Sequence, residues 1–376
     1  MTNKVIAFQQ PYQSEKIRDY VNESVNSNYY SSGYFEKKCM EILSNKFNIN
    51  NCLITHSATG ALELSAMYLK SLGISKKVFT PSYTFSSTAN AFLRSGFDVE
   101  FLDIEPSNLM VNIKEIAATV QNNIFVPVHY GGHSVDFTDL DLLKDETIVI
   151  EDAAQGLGVK WDGQQLGTIG DFGAISFHHT KNIQAGFGGL FIAKDSKDFE
   201  TIYHIYERGT NRQKVLSGVK SKYEWVEIGS SFQIPDILSA ILYAQLEDYE
   251  IIINERKKVY DFYNNYFNRS DYQIVSTPEV NEKSSTNYHA FFIIFNNSEN
   301  ASKFIKFTKK NNINCYIGYV PLHTSEMGSK LKLNKSLPKT EKAASSVVRL
   351  PVHTNITDRD LEYIKKTFDT FFNKNK

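Results

Sequence analysis

The sequence predicts an α/β fold: a large unit on a mostly parallel sheet, covered by helices on both faces, then a smaller α+β unit. Three observations predict it. Short β-rich runs alternate with helical patterns through the first two-thirds of the chain. The pattern then changes to long helices with few strands. The length, 376 residues, exceeds what one hydrophobic core usually spans. Two units are therefore expected, at 1–245 and 246–376.

The elements follow in order. "YFEKKCMEILSNKF" places Phe35, Cys39, Ile42 and Leu43 on one helical face, with Phe47 just beyond. "CLIT" (52–55) reads as a strand, and "SATGALELSAMYLKSLG" as a strand-to-helix turn, a helix and a glycine stop at Gly73. "KVFT" (77–80) is a strand, "FSSTANAFLRSG" a helix and "DVEFLDI" (98–104) a strand. Further strands are expected at "NIFVPVH" (123–129), "ETIVIED" (146–152), "FGAISFH" (172–178) and "GGLFIAK" (188–194). "IPDILSAILYAQLEDYEIIINERKKVYDFYNNYF" predicts one long helix, with Pro235 near its start where a helix tolerates it. In the later unit "YHAFFIIF" and "INCYIGYVPLH" read as strands and "NASKFIKFTKKN" as a helix. "TDRDLEYIKKTFDTFF" closes the chain as a helix, with Thr357 and Asp360 in capping-box spacing and Leu361, Ile364, Phe368 and Phe371 on one face.

Composition excludes some functions. The formal net charge is −1, which gives no electrostatic case for nucleic acid or an anionic membrane. No apolar run is long enough to span a bilayer, and the start does not read as a signal peptide. Cys39, Cys52 and Cys315 lack metal-ligand spacing and fit free thiols in a reducing, cytoplasmic setting. His178 and His179 are neighbours on an expected strand, so their side chains should point to opposite faces and not share a metal.

In sheets of this kind ligands bind at the carboxyl ends of the strands. Three segments end there. Ser57, Ala58 and Thr59 precede a helix near Gly60 and read either as a phosphate cradle or as simple N-capping. Asp152 ends the strand "IVIED" and is either a working carboxylate or a solvated strand end. Lys181, in "SFHHTKNIQAGFGG", is a surface charge, a phosphate clamp or a reactive amine. A cradle, a carboxylate and an amine on one edge are the parts a pyridoxal phosphate enzyme needs.

"PSYTFSSTANAF", "EDAAQG", "LGTIGDFGAISFHHTKN" and "ERGTNR…SKYEWVEIGSSF" resemble the DegT/StrS family of sugar-nucleotide aminotransferases through nearly the whole chain. The resemblance implies an aspartate aminotransferase-like, fold type I transferase with pyridoxal 5′-phosphate as cofactor. "VPVHYGG", "ERGTNR", "KYEW" and "GSSF" most resemble the branch that makes dTDP-4-amino-4,6-dideoxygalactose from dTDP-4-keto-6-deoxyglucose, with L-glutamate as donor and 2-oxoglutarate leaving, for surface polysaccharides such as O-antigen. By resemblance Lys181 forms the Schiff base, Asp152 pairs with the pyridine nitrogen, Gln155 lies near the phenolic oxygen and Phe85 stacks on the ring. Ala58, Thr59 and Ser176, with Ser57 beside them, hold the phosphate. A homodimer with shared sites is implied, Ser231 standing where a partner's residue completes the phosphate site. His129 and His323 are candidate sugar contacts, and Arg212 and Tyr223 lie in the branch motifs as further substrate candidates. One departure is plain: "AGFGG" is a residue short of the family's usual stretch, and Phe187 stands near its missing acid.

Overall fold

The structure, a computed structural model, describes residues 4–373 apart from 29, 32, 144–145, 269–271, 273–274 and 334. Seven strands form the large sheet: β1 (Cys52–Thr55), β2 (Val78–Pro81), β3 (Val99–Leu102), β4 (Ile124–Phe125), β5 (Ile148–Asp152), β6 (Phe172–Ser176) and β7 (Gly189–Ala193). Their spatial order is β1-β7-β6-β5-β4-β2-β3. The pairs among β2 to β6 are parallel, and β7 runs antiparallel to both its neighbours, β1 and β6. The carboxyl ends of β1, β5 and β6 therefore share one edge. The start of β7 joins them, Gly189 pairing with both Thr55 and Ser176.

The strands are apolar on both faces because both are covered. Along β7, Leu190 and Ile192 enter one core and Phe191 and Ala193 the other, the two-residue period of a pleated strand. Full burial of a Phe such as Phe191 contributes about 1.5–3 kcal/mol. On one face lies the helix Ala58–Ser71, which starts at a serine cap and stops at Gly73, whose φ of 73° suits glycine.

The later unit carries a second sheet: β8 (Val275–Ser276), β9 (Phe291–Phe295), β10 (Tyr316–Ile317) and β11 (Val347–Leu350), in the order β8-β9-β11-β10. Its core gathers Tyr263, Phe291, Phe304 and Phe368, and Ile6 from the start of the chain joins it. The expected capping box forms: Thr357 Oγ1 accepts from Asp360 N–H at 3.2 Å, and Asp360 Oδ2 accepts from Thr357 N–H at 3.0 Å.

Four expectations need correction. The strand expected at 123–129 keeps only Ile124–Phe125, since Pro127 has no N–H for a ladder, with Val128 making one isolated bridge to Asp152. The long helix is two, Asp236–Glu247 and Tyr249–Asn268, broken at Asp248 where ψ is 12°. At the break the Asp248 carboxylate is held by Lys16 at 2.9 Å, and the second helix runs on from the first core (Tyr249, Ile252) into the other (Val259, Tyr263). "INCYIGYVPLH" keeps only two residues as strand and turns through a 3-10 segment, Leu322–Thr324, just after Pro321. The His178 and His179 rings do not diverge. β6 ends at Ser176, and in the turn beyond it the rings stand 4.2 Å apart. No group of three or more His, Cys, Asp or Glu among the described residues is placed to hold a metal ion, and no described helix is long and apolar enough to cross a membrane.

Candidate active site

The strand ends at the shared edge open into a cavity of about 430 Å³ lined by Ser57, Ala58, Thr59, Phe85, Asp152, Gln155, Ser176 and Lys181. Segments from 57 to 181 thus meet in one place, and each is held there by its local structure.

At one end lies the helix N-terminus. Ser57 is extended, and its Oγ accepts from Gly60 N–H at 3.0 Å, so it does cap the helix. The cap leaves the cradle in place. The first intrahelical bond runs from Ala61 N–H to the Ser57 carbonyl at 3.1 Å, so the amides of Ala58 and Thr59 precede the helical ladder. Thr59 Oγ1 donates to Ser87 Oγ at 2.8 Å, gathering two hydroxyls at this end. A Cβ on Gly189 would stand 2.2 Å from the Ser57 carbonyl carbon, so only glycine lets β7 pass beneath the cradle.

At the other end Asp152 is 6% exposed. Its Oδ2 accepts from Thr88 Oγ1 at 2.6 Å and its Oδ1 from Ala154 N–H at 3.1 Å. Thr84 and Thr88 join hydroxyls at 2.9 Å, so the carboxylate is oriented by a short hydroxyl chain. Gln155 Oε1 accepts from Gly131 N–H at 2.7 Å, and its Nε2 donates to Tyr319 Oη at 3.4 Å.

Lys181 lies between, on the turn after β6, its N–H donating to the His178 carbonyl at 2.8 Å. Burial pushes its pKa down to about 8, with Asp152 opposing the shift and Arg349 adding to it. The amine therefore becomes neutral, and nucleophilic, at a pH where a solvated lysine is still charged. Phe85 is 61% exposed, which excludes core packing; its ring lies 6.4 Å from that of Tyr319.

Three of the substrate candidates lie outside the cavity, His129 plays another part, and Ser231, expected to serve a partner's site, is a separate case. His129 lines the wall, but both ring nitrogens are engaged. Val135 N–H donates to its Nδ1 at 3.0 Å, so Nε2 carries the proton and donates to Glu151 at 3.0 Å. His323 is 2% exposed outside the cavity, bonded to Ser82 at 2.6 Å and Glu341 at 3.2 Å. Arg212 pairs with Glu207 at 2.9 Å, and Tyr223 is 57% exposed; neither lines the cavity. Ser231 is exposed, bridged through its backbone to Glu207, and also lies outside the cavity.

Thr88, Tyr319 and Arg349 escaped the sequence reading. Tyr319 lines the cavity, and burial pushes its pKa up to about 12, so it stays protonated. Arg349 lines an adjoining space of about 280 Å³ that shares Gln155, Lys181 and Tyr319. Its guanidinium lies 5.5 Å from the Tyr319 ring, and its Nε is buried without a hydrogen-bond partner among the described residues. Nothing in the sequence reading pointed to Tyr319 or Arg349, which the second sheet brings to the cavity.

Comparison with known proteins fits this arrangement. Residues 11–369 match the profile of the DegT/DnrJ/EryC1/StrS aminotransferase family. An uncharacterized protein of Methanocaldococcus jannaschii is 30% identical over 92% of each chain. GDP-perosamine synthase of Escherichia coli O157:H7 is 26% identical over 98% of this chain and 99% of its own. The solved structure of PseC from Helicobacter pylori, an aminotransferase of pseudoaminic acid biosynthesis, superposes with a TM-score of 0.89 at 21% identity, covering 99% of this chain and 100% of that one.

Proposed function

The chain belongs to the DegT/DnrJ/EryC1/StrS aminotransferase family, and on that premise we propose that it transfers the amino group of L-glutamate to the keto carbon of a nucleotide-linked 4-keto-6-deoxyhexose. The observation that carries the reading is the meeting of Lys181, Asp152 and the Ala58–Thr59 helix start in one cavity. The cofactor is pyridoxal 5′-phosphate. The donor set fits it: amides and hydroxyls for a phosphate at one end, a buried carboxylate at the other, an amine between and an exposed Phe85 to cover a ring.

When bound, this cofactor supplies an aldehyde for the amine and an electron-withdrawing ring. The chain's residues do the rest. Lys181 Nζ, neutral through burial, would be the amine that the aldehyde takes, and when free it would move the proton at the amino-bearing carbon, a positioned general-base role. Asp152, oriented by Thr88 and the Ala154 amide, would pair with the ring nitrogen. Ala58, Thr59 and Ser176 would hold the phosphate, and Gln155 would serve the phenolic oxygen. Arg349, which makes no ion pair among the described residues, would meet a carboxylate of the glutamate donor.

The nucleotide is taken to be dTDP and the product galacto-configured, supported by the resemblance of "KYEW" and "GSSF" to that branch. The E. coli relative acts in GDP-perosamine synthesis, so the base is tested directly. Pyridoxal phosphate-loaded protein is incubated with L-glutamate and either dTDP- or GDP-4-keto-6-deoxyhexose, and the product is read by NMR. An axial 4-amino group on the dTDP sugar is expected. A 3-amino or equatorial product would overturn the regiochemistry or configuration, turnover of the GDP sugar alone the base, and no amino sugar from either the reading itself.

A further inference from the structure

Lys181 is followed at once by Asn182, a side chain only 7% exposed with both ends engaged. Asn182 Nδ2 donates to the Asn287 carbonyl at 2.7 Å. A carbonyl can only accept, so this bond fixes which end of the amide is nitrogen. Asn182 Oδ1 then faces His289 Nδ1 at 2.9 Å, and Nδ1 must carry the ring proton. Desolvation, reinforced by the charges of Lys181, Arg256 and Arg349, holds His289 well below the ordinary histidine pKa, so the ring is a neutral Nδ1–H tautomer.

The segment that receives Asn182 also grips the Asp152 side of the cavity. Asn287 Nδ2 donates to the Gln155 carbonyl at 2.8 Å and the Leu157 carbonyl at 2.9 Å, and its Oδ1 accepts from His289 N–H at 3.1 Å. From behind, Arg256 donates to the carbonyls of Tyr288 at 3.1 Å and His289 at 2.5 Å. Tyr288 takes a left-handed φ of 56° between the two. Gly132 makes room, since a Cβ there would fall 2.2 Å from Asn287 Oδ1.

Asp152 is the last rung of β5, paired with Ala174 of β6, but the turn that follows it and the turn that carries Lys181 lie past the ladder, so strand pairing does not set the spacing between those two turns. Segment 287–289 bonds to both loops at once. We propose that it forms with Asn182 a latch that sets Lys181 at its working distance from the Asp152 turn, making Asn182 and His289 positioning residues for transamination. The proposal rests on Lys181 being the reactive amine.

The test compares three variants loaded with pyridoxal phosphate. Asn182→Ala removes both side-chain bonds. His289→Leu removes the ring N–H. His289→Asn places an amide N–H where Nδ1 stood. Melting temperature, the pH midpoint of the visible absorbance of the Lys181 linkage, and the glutamate half-reaction are measured for each. Asn182→Ala and His289→Leu should shift the midpoint by about half a unit or more and slow the half-reaction ~10–100-fold, since small misplacements of a catalytic group are costly, while melting falls by only a few degrees for the buried groups left unpaired. His289→Asn should stay within about threefold of the parent rate. Parental midpoints and rates in Asn182→Ala, or a His289→Asn variant as impaired as His289→Leu, would overturn the latch. If Asn182→Ala does not fold, the two His289 variants carry the comparison. The absorbance readout needs no sugar, so failure of the latch is separable from failure of the sugar assignment, and Lys181→Ala tests the amine itself.

Discussion

Lys181 is set apart from the other lysines by where it sits. Burial lowers its pKa to about 8, and a neutral amine is what attacks an aldehyde. The neutral fraction grows about tenfold per pH unit below the pKa and levels off above it. The rate at which apoprotein forms its visible linkage with pyridoxal phosphate should therefore rise up to about pH 8 and flatten beyond it. A rate still climbing steeply well above that pH would mean a solvated lysine reacts. Lys181→Ala should show neither the linkage nor turnover while melting like the parent. Thr88 belongs to the same scale, its hydroxyl 2.6 Å from Asp152. A hydrogen bond to a charged group is worth about 1.5–3 kcal/mol, so Thr88→Val should lower kcat by ~10–100-fold, measured at saturating cofactor. An unchanged kcat would show that Asp152 is held without it. Lys181 and Asp152 were legible in the sequence because each ends an apolar strand a few residues upstream. Thr88 was not, because it reaches Asp152 across 64 residues of chain, and Tyr319 reaches Gln155 across 164. Such pairings exist only once the sheet has assembled.

Among the elements, β5 delivers two adjacent acids to opposite duties. Asp152 enters the cavity, while Glu151, fully buried, works on the other side. Its carboxylate accepts from the amides of Gly167 at 2.8 Å, Ile169 at 2.7 Å and Gly170 at 2.8 Å, and from the His129 ring at 3.0 Å. It thereby ties the turn before β6 to the end of β5, and β6 is the strand that aims Lys181. Glu151→Gln must place an NH₂ against a cluster of donors, leaving buried groups unmatched. It should destabilise the fold by about 2–4 kcal/mol, read as a lower urea midpoint at unchanged slope. A midpoint within error of the parent would remove the staple role. The strands and helices that position the site were readable from periodicity alone. The errors arose where tertiary contacts overrode a local pattern. The helical pattern through Asp248 runs unbroken in sequence, yet the helix stops there, where Lys16, 232 residues away in the chain, holds the Asp248 carboxylate. The strand pattern through His178 continues two residues past the last rung that β7 can pair.

At the scale of the whole molecule, the stretch from Leu216 to Ile228 sits uneasily on a lone chain. Val219 is 71% exposed, Ile228 72% and Trp225 80%. Apolar side chains gathered this openly mark an interaction surface, and Ser231 follows directly. We propose that this face meets a second copy of the chain and that Ser231 reaches the partner's phosphate cradle, as the resemblance implies. Trp225→Glu should then halve the mass seen by sedimentation and remove activity together. A sharper test mixes two inactive variants. Lys181→Ala lacks the amine but keeps Ser231, and Ser231→Glu keeps the amine but sets a carboxylate against the phosphate. In a dimer with shared sites, half of randomly mixed pairs are mixed, and each mixed pair holds one intact site. Co-refolding equal amounts should therefore restore about a quarter of the parent activity. If each site were built from one chain, no mixture could exceed the sum of its parts. Activity no higher than that sum, from mixtures shown to contain mixed dimers, would place the whole reaction within a single chain and leave Trp225 to some other contact.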